Sequence, residues 1–342
     1  MTAPERLTID DIAELAGVST ASVSRALNGR PGVSSATRAA IMKIAQDHQF
    51  TGNVAARALS SGKDGRIAVT LPHVHAEYFA RILAGAAEVF HERGVSLMLE
   101  TTAHSHDRQA GALQKLMRSG IDGALLMLPD ESSSELEELY RSGLRFVVVD
   151  AIDPLTVPLP WITCAHAIGA RDAMAHLLRL GHRRIGIITG EPKLLTTLDR
   201  LHGVRQALSA AGMSLDEELV RQRNYRDPDG GYSAAMELLS LPDPPTAIFA
   251  FNDVLAFGVL RAAHELGVAV PAQLSLVGFD DLEPASLVTP GLTTVRQPLA
   301  RIGAVAAGLL LRWIDGDKPA AMHIELPVEL VQRGSTAPPG ER

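Results

Sequence analysis

Read from its amino end, the chain changes texture near residue 63. Before that point apolar residues recur three and four apart in short bursts. Ile9, Ile12, Ala13, Leu15 and Ala16 share one helical face, and Thr8 with Asp11 three positions on has the spacing of a capping box. Gly17 stops this helix, Val18-Ser19 makes a brief turn, and a second helix is expected over 20–27. Asn28-Gly29-Arg30-Pro31-Gly32 breaks the chain again. Ser34 then caps a third helix whose apolar face is Ala36, Ala40, Ile41, Ile44 and Ala45.

Beyond residue 63 short apolar runs alternate with amphipathic stretches. Strands are expected at 66–71, 95–100, 123–128 and 146–150, with helices at 78–93, 108–119, 134–142 and 166–180. A second series places strands at 185–189, 219–224, 247–251 and 274–278, with helices at 198–211, 231–239 and 254–266. Strand alternating with helix means βαβ units, parallel sheets and right-handed crossovers. The fold class is therefore an all-α head plus an α/β core of two doubly wound parallel-sheet lobes. The expected division is 1–52 for the head, 53–65 for a hinge and linker, 66–163 with 294–322 for one lobe, and 164–293 with 323–336 for the other. In such sheets a ligand sits beyond the carboxyl ends of the strands, here in the crevice between lobes.

Charge sharpens this division. The 342-residue chain carries a net −7, yet residues 1–63 hold seven Lys/Arg against five acids, a net of +2, which leaves −9 for the remainder. A mildly basic head on an acidic body suits a polyanion-binding module. No apolar run approaches the ~18 residues that span a bilayer, and the amino end has no apolar signal core. A cytoplasmic, nucleoid-associated protein without membrane contact is expected. The single cysteine, Cys164, excludes an intrachain disulfide and a Cys-based zinc site.

The segment LTIDDIAELAGVSTASVSRALNGRPGVSSATRAAI resembles the helix-turn-helix head of the LacI/GalR family of bacterial repressors. AGVS-x-x-x-VSR-x-x-N followed by VS-x-x-T carries the match, which continues through Asn53-Val54-Ala55-Ala56-Arg57-Ala58-Leu59 and over the core to about residue 335. The resemblance implies a periplasmic-binding-protein-like core and a homodimer on a near-palindromic operator. It also implies that Thr20, Ala21 and Arg25 read bases, Arg25 by a fork that can bond guanine N7 and O6. Hydroxyl and amide side chains at Thr8, Ser19, Ser22, Ser24, Asn28, Ser34 and Thr37 suit phosphate contacts, and Ser19 and Ser34 serve as helix caps as well. In the family's hinge, which matches Asn53, Ala56 and Leu59, the leucine wedges into the minor groove and kinks the DNA. The tail RGSTAPPGER has no leucine heptad, so a dimer and no larger assembly is expected.

The same resemblance implies a small-molecule effector in the crevice, a mono- or oligosaccharide first and a purine corepressor second. Its pocket positions match Tyr78 and Phe79 after the first strand, and Asp150, Asn252, Asp280 and Arg200, which opens a helix, each expected at or just past a strand's carboxyl end. Asp, Asn and Arg side chains can each bond two adjacent hydroxyls, and an aromatic ring can stack on the apolar face of a pyranose. Asp253 and Asp281 are expected to cap the helices that follow them. Tyr225 and Arg226 lie near a further pocket position, with ambiguous spacing. An enzyme of the Rossmann type would need G-x-G-x-x-G between strand and helix, and none occurs; nor does a G-x-S-x-G elbow. Nothing calls for a cofactor. Where many family members carry Asn-Pro, this chain has Ala76-Glu77, preceded by His73 and His75; His104 and His106 follow the next strand. The four histidines are either metal ligands meeting at the crevice or polar groups at the pocket mouth and surface.

Overall fold

A computed structural model describes residues 7–27, 31–48, 50, 65–74, 76–153, 155, 159–225, 227–319 and 323–340. Asn28, Asn53, Ala56, Leu59, His75 and Arg226 lie outside the described residues. The chain forms two compact units, residues 1–65 and 66–342.

In the first unit α1 (Ile9–Ala16), α2 (Thr20–Leu27) and α3 (Ser35–Asp47) enclose Ile12, Ala13, Val23, Ala26, Ile41 and Ala45. The expected cap is present in full. Thr8 Oγ1 accepts from the Asp11 N–H at 3.3 Å, and Asp11 Oδ2 accepts from the Thr8 N–H at 2.7 Å. Gly17 ends α1 in the left-handed region, φ 63°, which lets the chain reverse within two residues.

The second unit contains two sheets. β1 (Arg66–Leu71), α4 (Glu77–Glu92), β2 (Ser96–Thr101), α5 (His106–Arg118), β3 (Gly123–Met127), α6 (Ser133–Arg141), β4 (Phe146–Val149) and β5 (Trp161–Cys164) open the first lobe. The chain then crosses into α7 (His166–Arg179), β6 (Ile185–Thr189), α8 (Leu195–Ala210), β7 (Val220–Gln222), α9 (Pro228–Leu239), β8 (Ala247–Ala250), α10 (Asp253–Glu265), β9 (Ser275–Asp280), α11 (Glu283–Leu287) and β10 (Thr293–Arg296). It returns for α12 (Leu299–Ile314) and β11 (His323–Leu326), and crosses a last time to β12 (Glu329–Val331). The sheet orders are β11-β5-β4-β3-β1-β2 and β12-β10-β9-β8-β6-β7. All pairings are parallel except β10 with β12.

These strand memberships correct the expected lobe boundaries. Residues 294–296 belong to the second sheet, where β10 pairs with β9, and residues 323–326 belong to the first, where β11 pairs with β5. Lobe membership is decided by long-range ladder pairing, which the local pattern of a short strand does not carry.

Both sheets are covered on both faces, so their central strands are apolar throughout. Ile67, Val69 and Leu71 pack with α4 and α12, while Ala68 between them packs toward α5 and α6. In the second sheet Ile248 and Ala250 face α9 and α10, and Ala247 and Phe249 face α7 and α8. The covering helices cross backbone to backbone at glycines. A Cβ on Gly303 would sit 1.8 Å from Ile82 O, one on Gly203 2.0 Å from Ala167 O, and one on Gly231 2.1 Å from Leu255 O.

Candidate functional site

The head offers one exposed helical face. On α2, Val23 and Ala26 are buried in the three-helix core, which leaves Thr20, Ala21 and Arg25 exposed and Ser22 and Ser24 half-buried. Ser19 Oγ accepts from the Ser22 N–H at 3.2 Å, and Ser34 Oγ accepts from the Thr37 N–H at 3.1 Å. Both serines therefore cap helices while standing exposed at the helix starts. Arg38, on α3, was not singled out in the sequence. Its Nη1 donates to Ala26 O at 2.8 Å and closes the carboxyl end of α2, a long-range capping role that no local spacing announces.

The second unit holds a cavity of about 610 Å³ between its lobes, lined by all six residues expected there: Tyr78, Phe79, Asp150, Arg200, Asn252 and Asp280. Asp150 ends the turn after β4 with φ 53°. Its Oδ2 accepts from the Tyr78 hydroxyl and its Oδ1 accepts from Thr163 Oγ1 at 2.8 Å. Burial alone would raise the Asp150 pKa. The His166 imidazole, whose Nε2 lies 3.7 Å away, and the two hydroxyl donors outweigh burial and hold it below the usual carboxylate range.

Arg200 lies in the second turn of α8 and not at its start, because the helix begins a turn earlier, at Leu195. Its side chain is buried. Nη1 donates to Phe251 O, Nη2 stands 3.3 Å from His166 Nδ1 and 3.7 Å from Asp280 Oδ1, and the guanidinium lies 3.9 Å above the Phe279 ring. A guanidinium cannot accept, so His166 Nδ1 accepts and the imidazole proton sits on Nε2, toward Asp150. Burial, with the Arg200 charge, lowers the His166 pKa against the opposing pull of Asp150. Asp280 accepts from Gln297 Nε2 at 2.6 Å; burial, with Asp150 and Glu77 nearby, pushes its pKa up against the pull of Arg200 and Gln297. Asp150, His166, Arg200 and Asp280 thus form one buried polar chain that runs from the first lobe into the second.

Aromatic rings complete the walls. Tyr78 stands edge-on to Phe79 at 5.3 Å, but Phe79 is mostly committed to the first lobe's core. Tyr225 lines the cavity, accepts from Thr197 Oγ1 at 2.8 Å, and lies so close to Gly190 that a Cβ there would meet its ring at 2.1 Å.

Two segments match family models: residues 8–53 match the bacterial regulatory proteins of the lacI family, and residues 174–336 a periplasmic binding protein-like domain. The HTH-type transcriptional regulator DegA of Bacillus subtilis (strain 168) is 33% identical over 336 residues, covering 97% of this chain and 99% of that protein. The lac repressor dimer bound to operator and the anti-inducer ONPF superposes with a TM-score of 0.88 at 26% identity, over 97% of this chain and 100% of that one. A complex of the transcriptional regulator CelR with cellobiose gives 0.72 at 31% identity, over 96% and 100%. The chain belongs to the lacI family of bacterial regulatory proteins. As a lacI-family protein it is a DNA-binding transcriptional regulator and not an enzyme.

Several details of this lacI-family regulator depart from the expectations above. Asn252 and not Asp253 caps α10: Asn252 Oδ1 accepts from the Leu255 N–H at 2.9 Å, and its amide donates to Tyr225 O at 2.8 Å. Asp253, fully buried, instead accepts from the Leu282 N–H at 2.8 Å and from Thr294 Oγ1 at 2.6 Å, and ties three elements of the second lobe together. Asp281 caps nothing; it pairs with Arg296 at 2.7 Å and Arg333 at 2.6 Å. The histidines divide. His73 and His104 line the cavity with ring centroids 5.5 Å apart, whereas His106 is exposed at the start of α5 and 2.6 Å from Glu135. Among the described residues no three His, Cys, Asp or Glu side chains are placed to hold a metal ion, and no helix is long and apolar enough to cross a membrane.

Proposed function

We propose that the cavity takes a polyhydroxylated small molecule of the sugar class, and that this effector sets the affinity of a homodimer for a near-palindromic operator. The observation that carries the reading is the convergence of Asp150 from one lobe with Arg200 and Asp280 from the other on a cavity walled by Tyr78 and Tyr225. A molecule that bridges both lobes favours one relative rotation of them, and only such differential binding shifts the equilibrium between states. The CelR relative, solved with cellobiose, supports the ligand class. On the DNA side, Thr20, Ala21 and Arg25 read bases while Ser19, Ser22, Ser24, Ser34, Thr37 and Thr8 fix register on phosphates; Asn28, Asn53, Ala56 and Leu59 complete the interface.

The test is operator binding by the full chain, on sites selected from random duplexes, with and without a panel of sugars. Asp280→Asn is expected to bind the operator as the parent does and to lose the response to sugar. A response unchanged in this variant, or no sugar that alters operator affinity of the parent, overturns the proposal.

A further inference from the structure

The loop that leaves β6 at Thr189 turns over 191–194 and sets Glu191 on the cavity wall. Glu191 Oε2 is buried and meets no hydrogen-bond partner. Of the cavity's other carboxylates, Asp150 is engaged by Tyr78 and Thr163, Asp280 by Gln297 and Arg200, and Glu77 by the Glu283 N–H at 2.8 Å and by Arg81 at 3.7 Å, while Asp130 adds a further buried carboxylate oxygen to the wall. Asp227 caps α9 through the Asp229 N–H.

Positive charge on the wall is sparse. Arg200 is taken up by Phe251 O, Asp280 and the Phe279 ring, and Lys193, the other lysine or arginine of the lining, is exposed. Of the helix starts on the wall, that of α10 is closed by Asn252 and that of α4 carries Glu77, while that of α8, at Leu194, has no side-chain cap. An anionic ligand would enter a wall of six carboxyl side chains against two basic ones, Lys193 and Arg200, whereas a buried carboxylate oxygen without a donor costs about 1–3 kcal/mol that a ligand's donor recovers.

On the sugar-class reading above, we infer that Glu191 selects the effector by charge, accepting a hydrogen bond from a hydroxyl or, more strongly, from a protonated amine, and rejecting phosphorylated and carboxylated molecules. The order of affinity is therefore amino sugar above neutral sugar above sugar phosphate. A charge-assisted hydrogen bond exceeds a neutral one by enough to separate the first two about tenfold.

The experiment is titration calorimetry on the full-length protein with glucose, glucosamine and glucose 6-phosphate and the corresponding galactose set, at mildly acidic pH where the amine is charged. The wild-type ranking stands as a test without any variant. Glu191→Gln is expected to erase the amine's tenfold advantage while neutral-sugar affinity stays within about threefold. A phosphate that binds wild-type protein as tightly as its neutral parent overturns the inference, as does an amine advantage that survives in Glu191→Gln. Sugars that bind without any charge order defeat this inference alone; if no sugar of any charge binds, the sugar-class reading falls with it.

Discussion

Replacing Glu131 with glutamine is expected to stabilise the protein, by an amount that depends on pH. Glu131 lies between β3 and α6, 8% exposed, and neither of its carboxylate oxygens is hydrogen-bonded by another residue. Burial pushes its pKa from 4.5 up to about 7; its own backbone N–H and the nearby His106 oppose the rise, while Asp130 and Glu135 add to it. The native state therefore holds this proton to higher pH than the unfolded chain does. Its ionisation costs nothing below about pH 4.5, and the cost grows as pH climbs until it is complete above about 7. A shift of this size corresponds to about 3 kcal/mol at pH ~8 and to less than about 1 kcal/mol at pH ~5. Glutamine removes the charge but leaves a neutral amide in the same place, so the net gain at the higher pH is roughly 1–3 kcal/mol. In a unit of this size that raises the melting temperature by several degrees, on the order of 2–4 °C for each kcal/mol. Paired thermal melts of wild type and Glu131→Gln at the two pH values measure the gain. A variant that melts at or below wild type at the higher pH, or a difference that is the same at both, refutes burial as the cause.

Two further perturbations probe other parts of the molecule. Gly303→Ala is expected to lose roughly 1–3 kcal/mol in urea unfolding, since its Cβ would fall 1.8 Å from Ile82 O, whereas Gly308→Ala on the same helix meets nothing within 4 Å and is expected to gain slightly. Equal effects from the two would show that helix propensity and not the close crossing governs. Arg25→Ala is expected to lower discrimination for a guanine-containing operator position by about 1–3 kcal/mol while non-specific DNA binding remains, as read by competition binding; unchanged discrimination removes Arg25 from base reading.

Much of the fold was legible because its signals are local. Period-two and period-3.6 patterns marked fifteen of the elements between 66 and 280 within a few residues, and Thr8, Gly17 and Ser34 marked the ends of the head's helices. What escaped was non-local. β5 and β10 are four residues each and mix polar with apolar side chains, unlike the equally short but wholly apolar β4 and β8, and which sheet β11 joins depends on Trp161–Cys164, some 160 residues earlier in the chain. The cavity residues expected from the resemblance all reached the cavity, yet their roles were not all readable. An Asn-Asp pair before a helix does not say which side chain turns back to cap it, and here Asn252 does so because Asp253 is drawn to Leu282 and Thr294. Thr163, His166 and Gln297, which hold the two buried carboxylates, carried no signal of their own.

The three crossings between lobes bear on how the molecule is made. The core of the head is complete in sequence by Phe50, but each sheet of the sensing unit waits for a strand beyond residue 322. At about 5–20 residues per second, a ribosome takes roughly 15–60 s to cover that stretch. For that interval a nascent chain presents a DNA-reading surface ahead of any sensor able to govern it, so the late edge strands β11 and β12 decide when the newborn regulator first answers to its effector.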